Sequence, residues 1–317
     1  MGRYALSKLV EMLAAMLAVS FVVYLLLEVD VDSVAVKVLG QFSKPDQRHA
    51  WLLEHGYFDP FIVRYVRWLW HFVQGDWGMS VHYQEYVIKL LPPRLEATGL
   101  LALITLAIMV PLSIALGVLA GMREGSALDR GISFFSVLTT SVPEFASAVF
   151  VSAVFVFMLG WLPGVSTMLD GFAWDQMVLP VMVLALYSTG YLARITRASM
   201  AETMNSPYVR TALMKGASRA RIVIRHALRN ALIAPVTIVM LYIPWLLSGV
   251  IVTEVFFAYK GFGSLLYEAS VNSDVFLIEA CSMISVVVVV GTQLASDLLY
   301  IGLNPRISFK TALGRAK

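Results

Sequence analysis

Any chemistry this chain performs has to come from its ionisable and nucleophilic side chains, and their spacing argues against a catalyst. The five histidines, His49, His55, His71, His82 and His226, show neither H-E-x-x-H nor H-x3-H spacing, so they do not read as a metal site. The single cysteine, Cys281, excludes an intrachain disulfide and any multi-cysteine metal centre. Neither a G-x-S-x-G elbow nor a G-x-x-x-x-G-K-[ST] phosphate loop occurs, so no hydrolase nucleophile and no ATP site is recognisable, and no cofactor is implied. Two other sets stand out. Glu11, Glu96, Glu144, Glu279 and Asp297 fall within or at the ends of apolar stretches, where a charge at mid-membrane costs roughly 2.5–3.5 kcal/mol. Glu144, beside the helix-breaking Pro143, therefore has to face protein or water. The pair is a candidate for a solute pathway, and the alternative is a buried, hydrogen-bonded or protonated structural group. Arg221, Arg225 and Arg229 recur every four residues and so share one helix face.

The elements that must position these residues are set by composition. Of 317 residues, 59% are apolar and 14% charged, against roughly 45–50% and 25% in soluble domains. Apolar windows near the length needed to cross about 30 Å of hydrocarbon run at about Leu9–Leu27, Ala97–Gly121, Ile132–Gly160, Met177–Ala193, Ala231–Val252 and Ile278–Leu303. These predict an all-α integral membrane protein with six transmembrane helices. The first window, preceded by Arg3 and Lys8, is too long for a signal-peptide core and no small-residue cleavage site follows it, so it reads as a retained span. Pro111, Pro143, Pro180, Pro235 and Pro244 each remove a backbone donor in or near a span, giving kinks that serve gating or simply packing.

The net charge of +3 is too small to suggest a nucleic-acid surface, but its placement is informative. With both termini cytoplasmic, the inner segments carry sixteen of the Lys and Arg and the longer outer segments eight, as expected from the unfavourable translocation of basic residues. The outer segment from Glu28 to Arg94 holds Trp51, Trp68, Trp70 and Trp77 with several Tyr and Phe. It predicts a small cap on the membrane, with an interfacial helix over Phe61–Val73. These aromatics could also stack on a sugar or peptide. The inner segment Arg194–Asn230 holds eight basic residues, broken at Asn205-Ser206-Pro207 and Gly216, and reads as helix, turn, helix. Ser206 suits an N-cap and Pro207 a first turn, while Gly216 permits a sharp bend or a close approach by a partner. The arginine face is open to two readings: it snorkels at headgroup level or it meets a cytoplasmic protein.

The order of residues in this segment, from Tyr208 through Arg210-Thr211-Ala212 and Lys215-Gly216-Ala217-Ser218 to Arg225-His226-Ala227-Leu228-Arg229-Asn230-Ala231, resembles the cytoplasmic EAA loop of ABC importer permeases. The usual Glu is replaced by Arg210 and the usual Ile-x-Leu-Pro ending by His226-Ala227-Leu228-Arg229, and both departures are similar to the dipeptide/oligopeptide branch. Asp59-Pro60, Gly75-Asp76-Trp77-Gly78, Arg94-Leu95-Glu96-Ala97-Thr98, Ser141-Val142-Pro143-Glu144-Phe145, Gly261-Phe262-Gly263 and Asn304-Pro305-Arg306 extend the resemblance over nearly the whole chain. One departure is Glu28-Val29-Asp30-Val31-Asp32, where that family has a Pro-Gly-Asp-Pro stretch.

The resemblance implies a type I ABC importer permease fold in the cytoplasmic membrane. Residues 1–94 would form a first helix and extracytoplasmic cap, 95–303 the core with coupling loop 194–230, and 304–317 a tail. It implies a second homologous permease, two cytoplasmic ATPases and an extracytoplasmic solute-binding protein as partners. The helix around Ser206–Ala220, with Gly216 at its bend, would couple to an ATPase. The implied activity is uptake of di- or oligopeptides by alternating access, with oligosaccharides or nickel complexes as alternative cargo. A secondary transporter would explain the intramembrane carboxylates but not the basic loop, and no internal repeat supports it. A membrane-embedded enzyme would need a converging catalytic set, which the sequence lacks.

Overall fold

The computed structural model describes residues 2–28, 30–168, 171–248 and 250–303, and every regular element among them is helical. In chain order these are α1 (Gly2–Glu28), α2 (Val31–Leu39), α3 (Pro45–Glu54), α4 (Phe61–Val73), α5 (Val87–Gly121), α6 (Ala127–Ser141) and α7 (Glu144–Ser152), the last running on into a π-helical turn at Ala153–Met158. There follow α8 (Trp174–Met204), α9 (Pro207–Met214), α10 (Arg219–Ile222), a π-helical turn at Val223–Ala227, α11 (Leu228–Ala231), α12 (Ile233–Ser248), α13 (Ile251–Phe256), α14 (Phe262–Val271) and α15 (Val275–Leu303).

Among the described residues, five stretches are long and apolar enough to cross a membrane, Val10–Glu28, Val87–Gly121, Trp174–Met204, Leu228–Leu247 and Val275–Ala295. The remaining predicted span, Ile132–Gly160, is not one helix: α6 and α7 meet at a bend of 104°. The cause is local. Val142 precedes a proline, which disfavours helical backbone, and it takes φ −88°, ψ 126°, so α6 stops and Pro143 opens α7. Pro180 and Pro244, by contrast, lie inside α8 and α12. Backbone groups there lose a hydrogen bond without ending the helix.

The chain forms two compact units, Met1–Thr98 with Lys260–Leu294, and Gly99–Tyr259 with Ala295–Lys317. In the first, Val87 and Leu91 at the start of α5 pack with Phe262, Leu265 and Ala269 of α14 and with Leu277, Ala280 and Cys281 of α15, all buried. α4 lies along α1 through aromatic rings: Phe21 and Tyr65 meet edge-on at 5.3 Å, and Tyr24 and Trp68 lie tilted against each other at 5.2 Å. Its other side leaves Ile62, Val66, Trp70 and Val73 exposed, an apolar face uncovered by the chain itself.

The second unit is built on α8. Where a Cβ on Gly190 would stand, Thr139 Oγ1 and, at 2.7 Å, Ser136 O already occupy the space, so α6 crosses α8 at backbone contact. Gly117 and Gly121 of α5 meet Ala193 O and Arg197 O in the same way, at 2.6 and 2.7 Å. Close helix approach through small residues is the usual packing mode where lipid replaces water. Arg197 of α8 forks onto Asp129 of α6 at 2.7 and 2.9 Å and lies 3.5 Å from Glu124.

Candidate coupling surface and pathway residues

The segment after α8 is a protruding helical element whose shape follows from its residues. Ser206 takes extended backbone (φ −70°, ψ 150°) and Pro207 occupies the first helical position of α9, as predicted. The Ser206 hydroxyl does not cap α9, however. It donates to Thr203 O at 2.6 Å, closing the end of α8 instead. α9 ends where Gly216 adopts φ +75°, a conformation that costs an L-residue about 1–2 kcal/mol. There the Ala217 N–H bonds Ala212 O at 3.1 Å and the Gly216 N–H bonds Leu213 O at 2.9 Å. This paired motif satisfies the last carbonyls of α9. A Cβ at Gly216 would have nothing within 4 Å, so the glycine is required by its backbone angle and not by a close approach within the chain.

Of the coupling residues read from the sequence, Tyr208, Arg210, Thr211, Lys215, Gly216 and Ser218 are exposed and Ala212 and Ala217 half-buried. Val209 alone in α9 is buried. Ser218 Oγ accepts from the Arg221 N–H at 3.4 Å and starts the next helix. In that helix Ile222, Val223, Ala227 and Ala231 are buried, with Met200, Val118, Met122 and Met204 packed around Val223, Ala227 and Ala231, while Arg221, Arg225 and Arg229 are all exposed. The predicted amphipathic element is present although a π-helical turn interrupts it. Asn230 Nδ2 donates to the Tyr208 hydroxyl at 3.0 Å, tying the two arms together. The His226 side chain lies outside the described residues.

Sequence reasoning missed the apolar tip. Leu213 is 47% and Met214 81% exposed, standing between Arg210 and Lys215. The signal was present in the sequence, two large apolar residues directly before a glycine stop, but helical periodicity assigns such residues to a buried face.

The candidate pathway residues sit at the broken span. Pro143 is exposed and Glu144, half-buried, begins α7. The Thr253 hydroxyl donates to Glu144 Oε1. A carboxylate at a helix N-terminus, held by a hydroxyl, is electrostatically at ease, which supports the structural alternative. Glu96 and Glu11 are exposed, and the Asp297 side chain lies outside the described residues.

Several of the signature stretches turn out to hold the first unit together. The Phe262 N–H donates to Thr98 Oγ1 at 2.8 Å. Arg94 reaches Ser264 Oγ at 3.4 Å, the Tyr83 hydroxyl at 3.3 Å and Glu268 at 3.6 Å. Gly78, at φ +74°, lies where Phe276 leaves 3.1 Å for a Cβ. Tyr83 donates to Glu268, and its phenol is pushed up to about 12 by burial and by that carboxylate. Burial acts to raise the Glu268 carboxyl, but Tyr83, Lys260 and Arg94 outweigh it and hold the group below its ordinary value. The departing stretch at Glu28 is also structural: Glu28 accepts from the Tyr57 hydroxyl at 2.9 Å and pairs with Arg64 at 3.3 Å, both of its partners coming from the cap. Val29 lies outside the described residues.

Helices long and apolar enough to cross a membrane, with a basic helical loop between two of them, define the class as an integral membrane protein. Comparison with known proteins places it further: residues 113–309 match the family described as binding-protein-dependent transport system inner membrane component, and the chain belongs to that family. The oligopeptide transport system permease protein AppB of Bacillus subtilis is 35% identical over 285 residues, 88% of this chain and 90% of AppB. A Sinorhizobium fredii protein, named "Probable peptide ABC transporter permease protein y4tP", is 32% identical over 313 residues, 98% of this chain and 100% of its own length. Among solved structures, the MetNI methionine ABC transporter in an inward-facing form is similar over 67% of this chain and 93% of the compared chain, at 17% identity and a TM-score of 0.49.

Proposed function

We propose that this chain is one permease of an ATP-driven importer of di- or oligopeptides, working by alternating access. The observation that carries the reading is α9 and its C-cap: a short helix opened by Pro207 and closed at Gly216, exposing Arg210, Leu213, Met214 and Lys215, with its reverse side anchored on Val209. Such an element suits docking into an apolar groove with acidic edges on a partner, because burying Leu and Met supplies affinity and the flanking cations supply register. Family membership supports an ATPase as that partner. The chain carries no phosphate loop of its own. Tyr208, Arg210, Thr211, Ala212, Lys215, Gly216, Ala217 and Ser218 form the coupling element, and it acts by biasing two arrangements of the spans as nucleotide binds and leaves.

The charge distribution favours cytoplasmic termini, and the Arg197–Asp129 pair is consistent with it, since both residues belong to the end of the unit assigned to the inside. Residues 1–94 act as first helix and outer cap, 95–303 as permease core and 304–317 as tail. A second homologous permease, two ATPases and an extracytoplasmic binding protein complete the system in the cell membrane. The names of AppB and the Sinorhizobium relative support peptide cargo. Pro143 and Glu144 border the solute path.

The test is to purify the tagged chain in mild detergent, identify co-purifying proteins by mass spectrometry, and measure ATP hydrolysis and uptake of a labelled dipeptide in vesicles. A second permease and P-loop ATPases are expected to come with the wild type, and both to be lost or weakened with Gly216→Val. Intact ATPase association in Gly216→Val together with Met214→Asp would overturn the coupling assignment.

A further inference from the structure

None of the transport roles above uses the open side of α4 (Phe61–Val73). At helical spacing Ile62, Val63, Val66, Leu69, Trp70 and Val73 share one broad face. All but the half-buried Leu69 are exposed, Trp70 by 65% and Val73 by 73%. No polar side chain interrupts that face. Arg64, Arg67 and His71 gather on the opposite flank, where Arg64 pairs with Glu28, Arg67 with Asp59 and His71 with Asp76.

Contacts with α1 fix where the apolar face stands. The Tyr65 hydroxyl lies 2.7 Å from Ser20 Oγ and 3.4 Å from Leu17 O, the Phe61 ring packs on Phe21 at 5.8 Å and on Tyr24 at 5.5 Å, and Arg64 reaches the other way to Glu28 at 3.3 Å. Glu28 ends the membrane-length stretch Val10–Glu28. Phe21 and Tyr24 come seven and four residues before it, so at about 1.5 Å per residue α4 crosses α1 roughly 6–10 Å inside the end of that stretch. Arg64 marks the side of α4 turned to the Glu28 end, and Tyr65 the side turned to the Val10 end. Going round the helix, Leu69, Ile62, Val73 and Val66 follow Tyr65. The apolar face therefore looks toward the middle of the stretch, where hydrocarbon stands when α1 spans a bilayer.

From this we infer that α4 is an in-plane helix inserted into the membrane leaflet at the Glu28 end of α1, and that phospholipid acyl chains cover its open face. The depth agrees with the roughly 5–10 Å to which amphipathic helices bury their apolar side, and the paired polar flank stays at headgroup level. Over the same length α1 exposes Leu17, Val22 and Leu26, as a helix in contact with lipid does. The sequence pattern predicts an interfacial helix; the contacts with α1 add its depth and the face that enters the lipid.

The test uses the purified chain with the single substitutions Val66→Cys, Val73→Cys and His71→Cys, each spin-labelled and reconstituted into phosphatidylcholine liposomes. All three positions are exposed, so a label there does not threaten folding, and the wild type, whose Cys281 is buried, supplies the background. Power-saturation electron paramagnetic resonance compares collisions with oxygen, which concentrates among acyl chains, and with a water-soluble nickel chelate. The labels at 66 and 73 are expected to favour oxygen, with an oxygen-to-chelate ratio severalfold above that of the label at 71. A second readout needs no label: phosphatidylcholine brominated along its acyl chains should quench tryptophan emission, and Trp70→Phe should remove part of that quenching. Chelate access at 66 and 73 equal to that at 71 would place the face in water and overturn the insertion. Low access of both reagents at 66 and 73, with bromine quenching unchanged in Trp70→Phe, would overturn the lipid occupant in favour of a protein. Neither readout involves peptide uptake or ATPase association, so failure here is separable from failure of the importer reading.

Discussion

The first compact unit and the loop after α8 both carry many charged side chains, yet they use charge differently. In the first unit several ionic and polar groups are matched within the chain in buried or half-buried places: Glu28 with Arg64 and Tyr57, Asp274 with Ser80 Oγ at 2.5 Å and the His82 N–H at 3.1 Å, Glu268 with Tyr83, Arg94 and the more exposed Lys260. In the loop after α8 Arg210, Lys215, Arg221, Arg225 and Arg229 all point to solvent, and so do Leu213 and Met214. A region that satisfies its own polar groups is held by its own fold. A region that exposes cations beside large apolar side chains is shaped for something outside the chain.

That contrast can be broken at several points. The largest effect is expected for Arg64→Ala, which strands the Glu28 carboxylate in a buried site; we expect a loss of about 3–5 kcal/mol in stability, measured as a drop in the melting temperature of the purified chain. Asp274→Ala removes the acceptor for Ser80, His82 and the Leu277 N–H that starts α15. It should cost about 1–3 kcal/mol, read by the same melt and by increased proteolysis around residues 79–86. Gly216→Val places a β-branched residue at φ +75° and should cost about 1–3 kcal/mol locally. Gly216→Asn should be milder because Asn tolerates that backbone region, and the two together separate backbone geometry from side-chain volume. Met214→Ser should leave the melting temperature nearly unchanged, within about 0.5 kcal/mol, while lowering ATPase retention, the reverse of the variants in the first unit.

Acid provides a finer probe of the matched charges. Because Glu268 is held below its ordinary pKa, its ionised form stabilises the folded state above the unfolded carboxyl pKa, and that contribution is lost as pH falls through the folded value. A melt taken from neutral pH downward should show wild type losing stability across and below the ordinary carboxylate range, and Glu268→Gln should show a shallower loss from a lower starting point. A parallel pH dependence in both would mean that Tyr83, Arg94 and Lys260 contribute little through this group.

Much of this was legible in the sequence, for reasons that differ by element. Spans could be read because lipid demands about 20 apolar residues in a row and the backbone then has no choice but helix. The helix-turn-helix after α8 could be read because Ser206-Pro207 and Gly216 act through local backbone geometry. The bend between α6 and α7 was half visible: Pro143 signalled a break, but proline also occurs within α8 and α12 without one. The exposed tip at Leu213 and Met214 was hidden, since periodicity reports a face without saying whether that face is covered.

By itself, then, the sequence determined the class of protein, the spans, the place of the basic loop and the family, all of which depend on local composition, short-range order or motif. Only the tertiary structure decided that Glu28 meets Arg64 and Tyr57, that Ser80 meets Asp274 across 194 residues of chain, that Thr98 receives Phe262, and that α14 and the start of α15 fold with the first unit. Such pairings follow from which surfaces bury one another, a property of the assembled helices that no window of sequence contains.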